Sequence, residues 1–296
     1  MIGFVGLGVM GEPICRNLAV KSGEEVLGCD IDPAPLERLK SAGVTPASSV
    51  QEIAERCDIV FLSLPGVEEV KNVCAGAASL MVHMRGGGYI VDLSTTTVAL
   101  ARDLNSRFAA RGVQFADAPV ARTRKAAAEG TLSIMVGATE PVFKRIRPVL
   151  AHIGTAITHC GAPGAGQATK LINNMVLFQN VLALAEALTL ARKAGLSATR
   201  VFETLTMGSA DSFALRHHGM RAMLVDEFPE DAFPVEYALK DIEYALEFAR
   251  QARVELAGAK QVMAALERAL AAGNEKKYFP VLVKTLCAQD SPQGNP

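Results

Sequence analysis

The sequence predicts an α/β protein: a doubly wound, mainly parallel sheet followed by an all-α C-terminal domain, joined by a long inter-domain helix. Three observations carry this. Short apolar strand patterns alternate with helical patterns through the first half of the 296 residues, and such alternation gives parallel strands linked by right-handed crossovers. Past residue 162 nearly everything reads helical, with Leu and Ala spaced by three and four. The first strand also runs straight into the turn Gly6-Leu7-Gly8-Val9-Met10-Gly11.

Taken in order, strands are predicted at 2–6, 25–30, 58–63, 88–92, 113–117, 132–136 and 156–159. Helices fall between them, near 11–21, 33–41, 49–56, 67–80, 97–111 and 139–150. The loop 161–166 then opens a long helix over 168–192, where Leu171, Ile172, Met175, Val176, Leu177 and Phe178 leave little polar face. A helix apolar almost all round predicts burial, between domains or against a second subunit. The expected organisation is a dinucleotide-binding domain at 1–162, the inter-domain helix at 163–192, a helical domain at 193–290 and a disordered tail at 291–296.

The opening turn is a dinucleotide fingerprint of the Rossmann type in its proper context of strand, turn and helix. Gly6 takes the tight turn, Gly8 lets a pyrophosphate approach the backbone, and Gly11 lets the helix pack closely; Leu7, Val9 and Met10 complete the cradle. The helix N-terminus faces the phosphates with unpaired N–H groups. Asp30 ends the second strand pattern, where its carboxylate would accept the adenosine ribose hydroxyls and repel a 2′-phosphate. No arginine occurs from Ile31 to Glu37, so NAD is favoured over NADP. The alternative for Asp30 is an exposed carboxylate at a strand end before the Pro33 turn.

Composition excludes several classes. Thirty Lys plus Arg against 31 Asp plus Glu indicate neither a nucleic-acid surface nor a polybasic membrane anchor. Charges interrupt the long apolar runs, so no membrane span is expected, and Met1 opens into a strand with no signal-peptide pattern; the expected location is the cytoplasm. Six cysteines, far apart and without a C-x-x-C pair, read as buried reduced thiols. Five histidines show no metal-ligand spacing, and no metal is expected.

Polar groups near the start of the apolar helix stand out. Lys170, Asn173 and Asn174 follow the glycine-rich loop at i, i+3 and i+4, on one helix face. A lysine beside two carboxamides suits an ammonium that exchanges a proton with an alcohol or carbonyl while amides orient the substrate. A solvated helix start is the alternative.

With these residues in place, the chain resembles the β-hydroxyacid dehydrogenases, the group of 3-hydroxyisobutyrate dehydrogenase, tartronate semialdehyde reductase and succinic semialdehyde reductases. The resemblance runs from about residue 2 to 290 and rests on ordered motifs. After the glycine turn come Arg16-Asn17-Leu18, Phe61-Leu62-Ser63-Leu64-Pro65 and Asp92-Leu93-Ser94-Thr95. Asp117-Ala118-Pro119-Val120, Gly130-Thr131-Leu132, Gly164-Ala165-Gly166-Gln167 with Lys170 and Asn174, and Lys240-Asp241 complete the series. The resemblance implies that Lys170 is the catalytic lysine and Asn174 its substrate-orienting partner, with Asn173 beside them. It further implies Leu64 and Pro65 along the adenosine side, Thr95 and Ser94 beside the nicotinamide and substrate, Lys240 closing over the cofactor, and Asp241 supporting the far wall.

One departure matters. After Asp117-Ala118-Pro119-Val120 the family usually continues Ser-Gly-Gly, which holds the substrate carboxylate; this chain has Ala121, Arg122 and Thr123. A guanidinium can grip an oxyanion bidentately, and Arg-Thr here is similar to the branch acting on sulfolactaldehyde and 4-hydroxybutyrate. Alternatively, Arg122 pairs with Glu129 or points to solvent with Arg124 and Lys125. The resemblance thus implies an NAD(P)-dependent oxidoreductase acting on CH–OH groups of a small anionic 3- or 4-carbon hydroxy acid or semialdehyde. A homodimer or homotetramer is expected. An imine reductase shares the architecture but replaces the lysine, and a non-catalytic NAD-binding scaffold is the reading from another class.

Overall fold

A computed structural model describes residues 1–230 and 232–287; the tail expected at 291–296 lies outside them. The chain divides into two compact units, Met1–Lys170 and a second from Leu171 onward.

In the first unit β1 (Ile2–Val5), β2 (Val26–Cys29), β3 (Val44–Pro46), β4 (Ile59–Leu62), β5 (Tyr89–Asp92), β6 (Gln114–Asp117), β7 (Val120–Ala121), β8 (Leu132–Gly137) and β9 (Gly154–Gly161) form one nine-stranded sheet. Strands run in the order β3-β2-β1-β4-β5-β6 with every pairing parallel. The order reverses between β1 and β4, and ligands of such sheets bind at the strand carboxyl ends there. Strand β8 is antiparallel to β6 and β7 and parallel to β9. Strand β7 therefore continues the line of β6 along β8, after a break at Ala118 and Pro119.

Period-two alternation feeds two apolar layers. Phe4, Phe61, Val91 and Ala116 pack with Ile14 and Leu18 of α1 (Gly11–Lys21) in one. Their strand neighbours Val5, Val60, Leu62, Ile90 and Phe115 pack on the other face. The remaining helices of this unit are α2 (Pro33–Lys40), α3 (Val50–Arg56), α4 (Val67–Ala75), α5 (Leu80–His83), α6 (Val98–Ala109), α7 (Arg124–Glu129) and α8 (Glu140–Leu150). The helix expected at 67–80 is two, separated after Gly76, whose backbone is extended. Helix α7 over 124–129 is additional to the helices expected.

Helix α9 (Ala165–Lys193) carries the chain into the second unit, which adds α10 (Ala198–Leu205), a π-helix (Leu215–Met223), α11 (Val235–Gln251), α12 (Ala257–Ala271), a 3₁₀ turn (Phe279–Leu282) and α13 (Val283–Cys287). The expectation that α9 is buried all round is corrected. Leu171, Asn174, Phe178, Val181, Ala185 and Leu188 form a buried stripe at helical spacing, whereas Ile172, Val176 and Leu190 are 51, 49 and 70 % exposed. The helix is also long and apolar enough to cross a membrane by length and composition, because Glu186 alone interrupts 171–191. Cys15, Cys57 and Cys74 are buried free thiols, but Cys29 and Cys160 are partly exposed, which corrects the expectation for those two.

Candidate active site

The glycine turn is shaped by close contacts. Gly6 has φ +93°, and a Cβ there would lie 2.3 Å from the Ser63 carbonyl oxygen. A Cβ at Gly11 would lie 2.0 Å from the Gly6 carbonyl, so neither position accepts a side chain. Gly8 differs: an added Cβ meets nothing within 4 Å, and Gly8 and Val9 are exposed while Leu7 is buried and Met10 half-buried. Helix α1 starts at Gly11, and Met10 before it provides no side-chain cap. Open space over Gly8 beside an uncapped helix N-terminus fits a dinucleotide pyrophosphate.

Asp30 follows β2 directly, and its carboxylate organises this turn. Oδ2 accepts the Leu7 N–H and Oδ1 accepts the Asp32 N–H at 2.8 Å. Arg38 forks onto Glu12, with Nε and Nη2 donating at 2.9 and 2.6 Å, and that guanidinium holds the Glu12 carboxyl below its ordinary range.

Along the ends of β4, β5 and β6 the expected residues are tied to one another. Leu64 N–H donates to Ser94 Oγ at 2.9 Å, and Ser94 N–H donates to Asp92 Oδ1 at 3.0 Å. Ser94 is buried, Thr95 and Leu64 are half-buried and Pro65 is exposed. The Ser94 hydroxyl thus shapes the loops that flank Thr95. Asp117, fully buried at the end of β6, accepts Gly164 N–H at 2.7 Å and Gln167 N–H at 2.8 Å. Burial pushes its carboxyl up to about 6, against the pull of those N–H donors. A carboxylate under these N–H groups seats the first turn of α9.

Lys170 stands on α9 one turn beyond Gln167 and is half-buried. In the second unit Asn174 is buried and its Nδ2 donates to Asp241 Oδ2 at 2.7 Å. Asn173 is exposed and donates to Asn174 Oδ1 at 3.1 Å. Lys240 Nζ lies 3.4 Å from Asp241 Oδ1 and over the rings of Tyr237 and Tyr244, at 5.3 and 5.6 Å from their centroids.

At the loop that departs from the family pattern, Ala121 belongs to β7 and Arg122 has φ +85°. Its Nη1 donates to the Thr131 carbonyl and, at 3.3 Å, to Thr155 Oγ1. The guanidinium therefore lies on the protein's own β8–β9 edge. It does not pair with Glu129, which faces Lys125 at 3.7 Å. Thr123 precedes α7, is exposed and caps nothing.

Three polar residues escaped prediction as site residues: Asp117, Gln167 and Asn17. Buried Asn17 on α1 donates to Ala127 O at 2.8 Å and Ala128 O at 3.1 Å, joining the cofactor helix to the end of α7. Their signal was a polar side chain inside an apolar motif. Their long-range partners, 47 to 111 residues away in sequence, gave no local signal.

Known proteins resemble the chain over both units. Residues 1–161 match the family profile of the NAD binding domain of 6-phosphogluconate dehydrogenase, and residues 164–286 match that of the NAD-binding region of NADP-dependent 3-hydroxyisobutyrate dehydrogenase. The chain is 36 % identical to 2-(hydroxymethyl)glutarate dehydrogenase of Eubacterium barkeri, over 86 % of this chain and 84 % of that protein. It is 32 % identical to 2-hydroxy-3-oxopropionate reductase of Escherichia coli, over 96 % of both. The solved structure of Mycobacterium tuberculosis 3-hydroxyisobutyrate dehydrogenase with L-serine superposes with a TM-score of 0.88, at 32 % identity over 97 % of this chain and 99 % of that one. An imine reductase from Myxococcus stipitatus, at 18 % identity and a TM-score of 0.66, shares the fold alone. Extended over both units at this identity, the likeness makes the chain a member of the β-hydroxyacid dehydrogenase family, a nicotinamide-dependent oxidoreductase acting on hydroxyl groups of small acids.

Proposed function

We propose that the protein transfers hydride reversibly between NAD and a small 3- or 4-carbon hydroxy acid or its semialdehyde, of the 3-hydroxyisobutyrate, 4-hydroxybutyrate or sulfolactaldehyde type. The observation that carries this reading is Lys170 on a helix whose first turn is bonded to the loop presenting Thr95. When bound, the nicotinamide supplies or accepts the hydride. Lys170 holds the proton at the substrate oxygen, giving it on reduction and taking it on oxidation. Reduction needs the ammonium form and oxidation the amine. Asn174, one turn further along α9, orients the same oxygen without titrating, and Asp241 fixes the Asn174 carboxamide. The family resemblance assigns Lys240 to the cofactor.

The Gly6–Gly11 cradle with Leu7, Val9 and Met10 takes the pyrophosphate, and Leu64 and Pro65 line the adenosine side. Asp30 supports NAD over NADP through its negative charge at the end of β2. For the acid end, Arg122 with Thr123, Ala121, Ser94 and Asn173 form the recognition set. Among the described residues Arg122 holds two neutral acceptors on an exposed edge, and a charged oxyanion is the stronger partner. The exposed Ile172, Val176 and Leu190 support a homodimer or homotetramer, and we place the enzyme in the cytoplasm.

The test is a turnover panel of semialdehydes and hydroxy acids with both cofactors, on wild type and Lys170→Ala. Loss of a proton donor lowers kcat by about 10²–10⁴-fold; a Lys170→Ala variant that keeps full turnover overturns the assignment.

A further inference from the structure

Gln167 sits in the first turn of α9, three residues before Lys170, and is fully buried. A carboxamide in that position needs both ends paired. Oε1 accepts the Thr96 N–H at 3.0 Å, and Nε2 donates to the Ser94 carbonyl at 2.7 Å. These two partners flank Thr95, so the side chain pairs with the loop as a neighbouring strand would. Gln167 also donates its own N–H to Asp117 at 2.8 Å.

The helix end of this bridge is seated without slack. A Cβ at Gly166 would lie 2.4 Å from the Met135 carbonyl and 2.7 Å from the Asp117 carbonyl, and one at Gly137 would lie 2.6 Å from Gly166 N. Backbone meets backbone there, and interiors this close transmit displacement instead of absorbing it. On the loop side, Asp92 and the Leu64 N–H hold Ser94 from the opposite direction.

We infer that Gln167 is a positioning residue for the hydride step: its carboxamide sets the separation between the Ser94–Thr96 loop and the helical segment that carries Lys170. The inference rests on the proposed role of Lys170. Asp117 alone would suffice to start the helix, and in that case Gln167 would contribute packing and nothing to the chemistry.

Gln167→Met keeps the shape and removes both hydrogen bonds; Gln167→Glu keeps an acceptor for Thr96 and sets a carboxylate against the Ser94 carbonyl. With 4-deuterated reduced cofactor, both variants should lose about ten- to a hundredfold in kcat, since misplacement of about 1 Å costs that order of rate. The isotope effect on kcat should rise while the KM for cofactor stays within about twofold. A kcat within about twofold of wild type overturns the inference, as does a fall in kcat that tracks the folded fraction with the isotope effect unchanged. Should wild type turn over no member of the panel, the dehydrogenase reading fails by itself. Hydrogen exchange then decides the bridge: exchange across residues 94–97 rises in Gln167→Met if the bridge exists, and unchanged exchange overturns it.

Discussion

Asn174 Nδ2 donates to Asp241 Oδ2 at 2.7 Å, and Asp241 is 2 % exposed. The carboxamide assigned to the substrate is thus also the hydrogen-bond partner of a buried charge, with Lys240 3.4 Å away on the other carboxylate oxygen. Asn174→Ala should therefore cost stability as well as rate. Leaving a buried carboxylate short of a partner costs about 1–3 kcal/mol, to be read from chemical denaturation. Asn174→Asp sets a second carboxylate against the first and should lower stability at least as much as Asn174→Ala, read in the same way.

Two buried groups give the two units opposite responses to acid. Asp117 titrates at about 6 in the folded chain, above its ordinary 3.8. Its contribution is present below pH 3.8 and is lost as pH rises through about 6. Desolvation lowers His218 from 6.5 to about 4, so its contribution is present above pH 6.5 and is lost as pH falls through about 4. Each is worth on the order of 3 kcal/mol and they oppose across the same window. As pH falls from 6.5 to 4, amide protection factors, taken relative to the intrinsic exchange rate at each pH, should rise around 164–170 and fall around 215–223. Asp117→Asn and His218→Gln should each abolish one of the two trends; identical trends in both segments would refute the assignment.

Backbone and side-chain roles separate at residue 122. Arg122→Ala and Arg122→Gly remove the same contacts to Thr131 and Thr155, but only glycine relieves φ +85°. The glycine variant should be more stable by about 1 kcal/mol, seen as a higher melting temperature. Run against matched carboxylates and sulfonates, both should reorder the substrate preference. An unchanged ranking removes Arg122 from acid recognition.

Asp30 carries a further prediction because its oxygens already hold Leu7 N–H and Asp32 N–H. Asp30→Asn keeps one acceptor, sets an amide NH2 against the other N–H, and loses the charge. It should lower the melting temperature by an amount corresponding to about 1–3 kcal/mol while narrowing the NAD to NADP ratio of kcat/KM by about tenfold, equal to about 1.4 kcal/mol.

Much of this was legible in the chain. Seven strands, the glycine turn and Lys170 with Asn174 follow from period, fingerprint and helical spacing. Strand β3 was not, since it is three residues long, ends in Pro46 and exposes two of them. The two-residue β7 owes its existence to pairing with β8, which no local pattern encodes. Helix α9 begins at Ala165 instead of 168 because Gly164, at φ +90°, makes the turn and Asp117 seats the first N–H groups. Arg122 was legible as a departure and not as a contact: its partners lie 9 and 33 residues away, and their closeness depends on how β8 pairs with β9.

The left-handed backbone at Arg122 makes loop shape and loop chemistry independent variables for an engineer. The path through 121–123 already tolerates a large side chain where glycine is conformationally at ease, so residue 122 can be varied without redesigning its neighbours. Glycine and asparagine are the residues that adopt this conformation most readily, and a saturation library at this one codon would test the proposed acid recognition with the neighbouring residues unchanged.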